Sequence, residues 1–258
     1  VPDNGKLWYR RSFSTPEMPK DGRLLLHFGA SDWETVVSVN GKTVGKHRGG
    51  YDPFTFDITD ALNPIPRPKT SNPRDSPPPP PNSYLNELVV AVSDPTDGSF
   101  QPRGKQIRKP HGIWYTPTTG IWQTVWLESV PKTYIAGVEI VPNFDKKTVQ
   151  FTVNVRGIDA EKNRVRIGLV SEPQPQQPGR IPIPPFGSEL AQQIERFNGF
   201  GKPNTAIEIP FANAKPWLPD SPTLYFSGVQ LLPPDVYGNG TFGKDVDDSV
   251  VSYFAMRK

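Results

Sequence analysis

The stretch "TVQFTVNV" at residues 148–155 sets Val149, Phe151, Val153 and Val155 on one side and polar residues on the other, in strict alternation. That period of two is what a half-buried β-strand requires, because successive side chains leave a strand on opposite faces. The same pattern recurs along most of the chain. "RLLLHF" aligns Leu24, Leu26 and Phe28; "PFTFDIT" aligns Phe54, Phe56 and Ile58; "ELVVAV" aligns Leu88, Val90 and Val92. "VRIGL", "AIEI", "TLYFSGVQL" and "SVVSYFAM" continue it. Asn40-Gly41 in "TVVSVNGKTVGKH" is the pair favoured by type I′ hairpins, where both central residues need positive φ.

Short strands at this spacing imply an all-β chain of two β-sandwiches, residues 1–130 and 131–258, joined near 129–132. The 32 prolines and 22 glycines of the 258 residues agree with many turns and few helices. Only "SELAQQIERF" reads as helical. Two proline-rich stretches, residues 63–83 and 172–187, interrupt the alternation and are expected to be surface insertions.

Charge and composition exclude several functions. A net charge of +3 without a basic stripe argues against a nucleic-acid partner. No cysteine is present, so disulfides, thiolate metal sites and a cysteine nucleophile are out. The three histidines are scattered without ligand spacing, and neither a metal nor a cofactor is expected. No apolar run approaches the roughly 18 residues of a membrane span, and Val1 opens no signal peptide, so no membrane partner is expected and the compartment stays open.

Local acid pairs are Asp32/Glu34, Asp94/Asp97 and the group Asp245, Asp247 and Asp248. At Asp32, turn capping or surface solvation is the expectation. Asp94-Pro-Thr-Asp97 is expected to shape a turn through its own side chains and to help order the following "PRGKQ" loop. None has the setting expected of a catalytic carboxylate pair. Asn239-Gly240-Thr241 matches a glycosylation sequon.

Several segments together carry a likeness. "LWYRRSF", "LLLHFGASDWETVVSVNGKTVGKHRGGYDPFTFDIT", "NELVVAVSDPTD", "QPRGKQ" and "GIWYTPTTGIWQTVWLE" resemble, in order and spacing, the N-terminal sugar-binding jelly roll of glycoside hydrolase family 2. "AKPWLPDSPTLY" and "DDSVVSYFAMRK" resemble the immunoglobulin-like domain that follows it. The resemblance implies a jelly-roll (galactose-binding-like) sandwich followed by an immunoglobulin-like sandwich. It implies a carbohydrate partner, a β-glycoside, and an absent TIM-barrel domain of the same polypeptide that carries the two catalytic glutamates. Members also have jelly-roll strands ahead of the "WYRR" segment, so the chain reads as an internal piece of a larger enzyme, with no catalytic residue of its own. A free-standing carbohydrate-binding module and an adhesion protein are the rival readings.

In the family's galactosidases and glucuronidases an Asp six residues before the matching Gly-Ile pair reaches the active site; here that position is Trp114. Trp114 and Tyr115 precede the turn at 118–120 and are the expected sugar-stacking residues. Arg103, Lys105 and Gln106 of "QPRGKQ" are the expected hydroxyl or carboxylate partners. Trp122 and Trp126, in the strand after the turn, are expected to pack and to be more buried than Trp114.

Overall fold

The computed structural model describes residues 5–63, 85–170, 197–236 and 246–258. The chain is all-β, and its contacts fall into two compact units, residues 1–130 and 131–258. The expected helix at 188–197 lies outside the described residues except for Phe197, which opens a strand instead. Both proline-rich stretches (Asn63 apart), the sequon and Asp245 also lie outside them. Among the described residues no helix is long and apolar enough to cross a membrane.

The first unit holds β1 (Leu7–Ser14), β2 (Arg23–Phe28), β3 (Ser31–Asp32), β4 (Glu34–Val39), β5 (Lys42–Arg48), β6 (Phe54–Asp57), β7 (Leu85–Ser93), β8 (Gly120–Ile121) and β9 (Val125–Val130). One sheet runs β1-β7-β4-β5, a second β6-β2-β9, and β3 pairs with β8. The alternation settles which faces meet. Leu24, Leu26 and Phe28 of β2 lie against Val37 and Val39 of β4 and Val90 and Val92 of β7, forming a core that Tyr9, Phe56, Val125 and Leu127 extend. The β4–β5 hairpin turns at Asn40 and Gly41, with φ of 50° and 78°, as type I′ demands. The Asn40 side chain reaches further: its Nδ2 donates to the Ala61 carbonyl at 2.8 Å and to Asn86 Oδ1 at 2.9 Å, while its Oδ1 accepts from Glu87 N–H at 2.9 Å.

Tyr9 ties β1 to the short β3–β8 ladder. Its hydroxyl accepts from Ile121 N–H at 3.1 Å, close beside Gly120. Gly120 has φ of +117°, and a Cβ there would stand 2.3 Å from the Tyr9 oxygen, so position 120 admits only glycine without a shift.

The second unit holds β10 (Thr133–Asn143), β11 (Thr148–Gly157), β12 (Arg164–Leu169), β13 (Phe197–Gly201), β14 (Ala206–Pro210), β15 (Tyr225–Leu232) and β16 (Asp248–Phe254). Its sheets are β10-β11-β14 and β13-β12-β15-β16. Val149, Phe151, Val153 and Val155 all turn inward against Val165, Ile167, Val229 and Leu231. β15 is buried along its whole length. There Arg166, itself buried, donates from Nε to Gln230 Oε1 at 2.8 Å and lies 4.2 Å over the Phe197 ring.

Candidate functional site

At one end of the first unit the short β3–β8 ladder pairs Asp32 with Gly120. The turn at 49–51 and the long loop from Asp94 to Thr119 gather around it. Asp94 leaves β7 and organises that loop. Its carboxylate accepts from Thr96 N–H at 2.7 Å and Thr96 Oγ1 at 3.2 Å, as the expected Asp-type turn requires. It also accepts from Gln101 Nε2 at 2.7 Å and Thr119 Oγ1 at 3.3 Å, so one side chain pins both ends of the loop. Asp97 braces the middle through an ion pair with Arg108 at 3.2 Å.

Asp32 overturns its expected role as a solvated or capping residue. It is 7% exposed, and its Oδ1 is buried with no hydrogen-bond partner among the described residues. The carboxylate lies against Gly50, where a Cβ would come within 2.6 Å of Oδ1. Burial, and secondarily the charge of Asp94, push the Asp32 carboxyl up to about 6. The other acid of the pair behaves as the sequence suggests: Glu34 accepts from Arg48 Nε at 2.8 Å on the surface. Perturbed carboxyls of the Asp32 kind concentrate where ligands bind, since a buried charge left short of a partner is otherwise a cost without return.

Aromatic side chains stand beside it. Trp122 Nε1 donates to the Gly50 carbonyl at 2.7 Å, and its ring meets Tyr51 edge-on at 6.2 Å. Both remain substantially exposed, Trp122 at 53% and Tyr51 at 48%. Trp126 is 44% exposed and stacks on His27, its cross-strand partner, at 4.9 Å. The expectation that Trp122 and Trp126 are packing residues, more buried than Trp114, is therefore corrected: Trp114 is half-buried and both of the others are more open. Ile121, Val125 and Leu127 do pack on the core side, while Gln123, between β8 and β9, is exposed. The opposite face is left to solvent.

The five residues expected to bind sugar lie on the Asp94–Thr119 loop, and the structure draws four of them together. Tyr115 N–H donates to the Lys105 carbonyl at 2.8 Å, and Gln106 bridges to Tyr115 as a short parallel pair. Tyr115 is 65% exposed, and the Lys105 side chain is exposed as well. Trp114 is held in a turn by its N–H bond to the His111 carbonyl at 3.0 Å. Gln106 works inside the loop: its Oε1 accepts from Thr118 N–H at 2.5 Å and Thr118 Oγ1 at 3.0 Å. Arg103 stands on the turn before them, and its Nε is buried without an acceptor among the described residues. The next residue, Gly104, brings this turn up to the Tyr51 hydroxyl, which a Cβ on Gly104 would approach to 3.8 Å. Asp32, Tyr51 and Trp122 were missed in the sequence. The Gly49-Gly50-Tyr51 run was the available signal, since consecutive glycines mark a backbone that something approaches closely.

Flat aromatic faces, an acceptor-rich buried carboxylate and an arginine short of an acceptor suit a polyol ring, whose C–H faces stack while its hydroxyls donate and accept. Among the described residues no three histidine, aspartate or glutamate side chains gather to hold a metal.

No family model matches the chain. A β-galactosidase of Thermoanaerobacter pseudethanolicus is 27% identical over 240 residues, which are 91% of this chain and 27% of that protein. The β-glucuronidase of Homo sapiens is 26% identical over 175 residues, 63% of this chain and 26% of its own length. Among solved structures, a β-glucuronidase of Bacteroides uniformis matches 98% of the chain with a TM-score of 0.62 and 20% identity, over 26% of its own chain. A glycosyl hydrolase family 2 member of Bacteroides cellulosilyticus matches 98% with a TM-score of 0.57 and 17% identity, over 28% of its chain. The chain is thus similar in sequence to β-galactosidases and β-glucuronidases and similar in fold to solved glycosyl hydrolase family 2 members, and it spans about a quarter of the length of these relatives.

Proposed function

We propose that the chain is the non-catalytic region of a family 2 enzyme that hydrolyses terminal β-glycosidic bonds with retention. The first unit is its sugar-binding jelly roll, the second its immunoglobulin-like sandwich, and the catalytic pair lies on polypeptide outside these residues. The first unit supplies one wall of the sugar pocket: Asp32, Tyr51, Arg103, Lys105, Tyr115 and Trp122, with Trp114 and Gln106 shaping the loop behind them.

The observation that carries this reading is Asp32. A carboxylate only 7% exposed with an unsatisfied oxygen, beside two half-exposed aromatic rings, weakens the fold it sits in. A sugar hydroxyl, directly or through one water, is the donor that such an oxygen lacks. Stability given up at a site of this kind is characteristic of a group retained for ligand work.

The test uses the longer enzyme that contains the chain, with Asp32→Asn. The expected outcome is a kcat/KM on aryl β-glycosides lowered about 10- to 100-fold, the scale of one lost polar contact to a transition state, with the fold intact. Unchanged turnover would remove Asp32 from the pocket. A longer protein without glycosidase activity would favour a carbohydrate-binding module instead.

A further inference from the structure

His47, near the end of β5, carries a ring nitrogen that the pocket as described leaves unused. Its imidazole caps a column of rings that runs out of the core. It stacks on Phe54 at 4.0 Å and 15°, and Phe54 stacks on Phe28 at 4.7 Å and 9°. Phe28 is fully buried, so the column fixes where the imidazole stands. Its Nε2 faces the turn at 49–51, is buried, and has no hydrogen-bond partner among the described residues. A buried nitrogen of that kind costs stability unless a neighbouring group or a water meets it.

The group able to meet it stands across Gly49. The point that a Cβ on Gly49 would occupy lies 3.2 Å from His47 Nε2 and 3.6 Å from Asp52 Oδ2. Glycine therefore keeps the space between imidazole and carboxylate open, and a φ of +141° independently favours it there. Asp52 is exposed and makes no hydrogen bond or ion pair among the described residues. Arg48, the cation beside the turn, is committed elsewhere: it pairs with Glu34 at 2.8 Å and lies 5.7 Å over the Trp33 ring.

Residues 47 and 52 thus flank the part of the chain that builds the pocket wall. Between them are Tyr51 and Gly50, whose carbonyl accepts from Trp122 Nε1 and which packs on the Asp32 carboxylate. On its near side the turn is held by Gly49 N–H, which donates to the Trp33 carbonyl at 3.2 Å. We propose that His47 and Asp52 are positioning residues for sugar binding: His47 Nε2–H donates to the Asp52 carboxylate across Gly49, directly or through one water, and this clasp holds Tyr51 in the wall. Neither residue touches the sugar; both act through Gly50 and Tyr51. The inference rests on the reading of this end of the first unit as a sugar pocket.

The test uses the longer enzyme, with His47→Phe, Asp52→Ala and their double variant assayed on aryl β-glycosides beside Asp32→Asn. His47→Phe keeps a ring on Phe54 and removes the nitrogen. Each single variant should raise KM about fivefold with kcat unchanged, the scale of one hydrogen bond. The double variant should go no further than either single one. Asp52→Asn, which keeps an acceptor oxygen, should restore most of the affinity. Amide exchange at 50–52, measured without substrate, should quicken about fivefold in both single variants. Asp52 is exposed, so Asp52→Ala against Asp52→Asn decides the matter if His47→Phe does not fold. Three outcomes would each overturn the proposal: effects that add in the double variant, exchange unmoved by either substitution, or a KM unmoved while Asp32→Asn lowers turnover. Faster exchange with turnover unaffected in every variant, Asp32→Asn included, would instead remove the pocket reading and leave the clasp.

Discussion

Asp32 illustrates how a single residue can work against its own fold. Its carboxyl titrates at about 6, above the ordinary aspartate value of 3.8, so the folded state holds the proton more tightly than the unfolded chain does. Stability should therefore rise as the pH falls from about 7 towards 4, where the unfolded chain also becomes protonated. Asp32→Asn should stabilise the first unit by about 1–3 kcal/mol at pH 7, with the gain fading by pH 4. Urea denaturation at the two pH values checks this; a loss of stability at pH 7 would mean that the ionised form has a partner after all. Gly120 offers a second case. Gly120→Ala should cost about 2–4 kcal/mol, because φ of +117° disfavours a side chain and a Cβ would strike the Tyr9 hydroxyl. Tyr9→Phe in the same background should recover part of that loss by thermal denaturation, although it gives up the bond to Ile121.

At the scale of elements, the proline-rich stretch is bounded by a polar knot. Asn63 N–H donates to Asn86 Oδ1 at 2.8 Å, and Asn63 Nδ2 to the Leu85 carbonyl at 3.0 Å. Asn63 and Leu85, which flank residues 64–84, thus meet side by side, and Asn86 is tied to the β4–β5 hairpin through Asn40. Replacing 64–84 by a short glycine-serine linker should change stability by about 1 kcal/mol or less, since closure entropy grows slowly with loop length. Asn86→Ala should cost more, about 2–3 kcal/mol, because Asn86 is 1% exposed and its loss strands the donors of Asn40 and Asn63. A variant with the linker that fails to fold, while Asn86→Ala is tolerated, would reverse this ranking.

For the whole molecule, the chain assayed alone against aryl galactosides, glucuronides, mannosides and glucosides should equal the buffer blank. Asp94, whose charge acts on Asp32, has its oxygens committed to Thr96, Gln101 and Thr119, bonds that serve the loop and not a nucleophile's role. Turnover that vanished with Asp94→Asn would overturn the assignment. The same chain should self-associate as its concentration rises, because a cleft between β1 and β9 leaves apolar surface open. Light scattering that stays flat across concentration, and that Val125→Thr does not alter, would indicate that the cleft is closed in solution.

What the sequence determined by itself was local and periodic. Alternation in "RLLLHF" and "TVQFTVNV" identified both the strands and the faces that enter the cores, and Asn40-Gly41 identified a turn, since each depends only on neighbours along the chain. The ordered motifs of the first 130 residues also carried the family likeness that the comparisons bear out. Only the tertiary structure decided whether the opposite face is covered as well. Period two separates Ile121, Val125 and Leu127 from Trp122 and Trp126, but whether the second face meets water depends on whether another layer lies over it. For the same reason Asp32 read as a surface acid. Gly50 packs against its carboxylate and the charge of Asp94 acts on it, from 18 and 62 positions away in the chain, and no pattern in "ASDWET" records that approach.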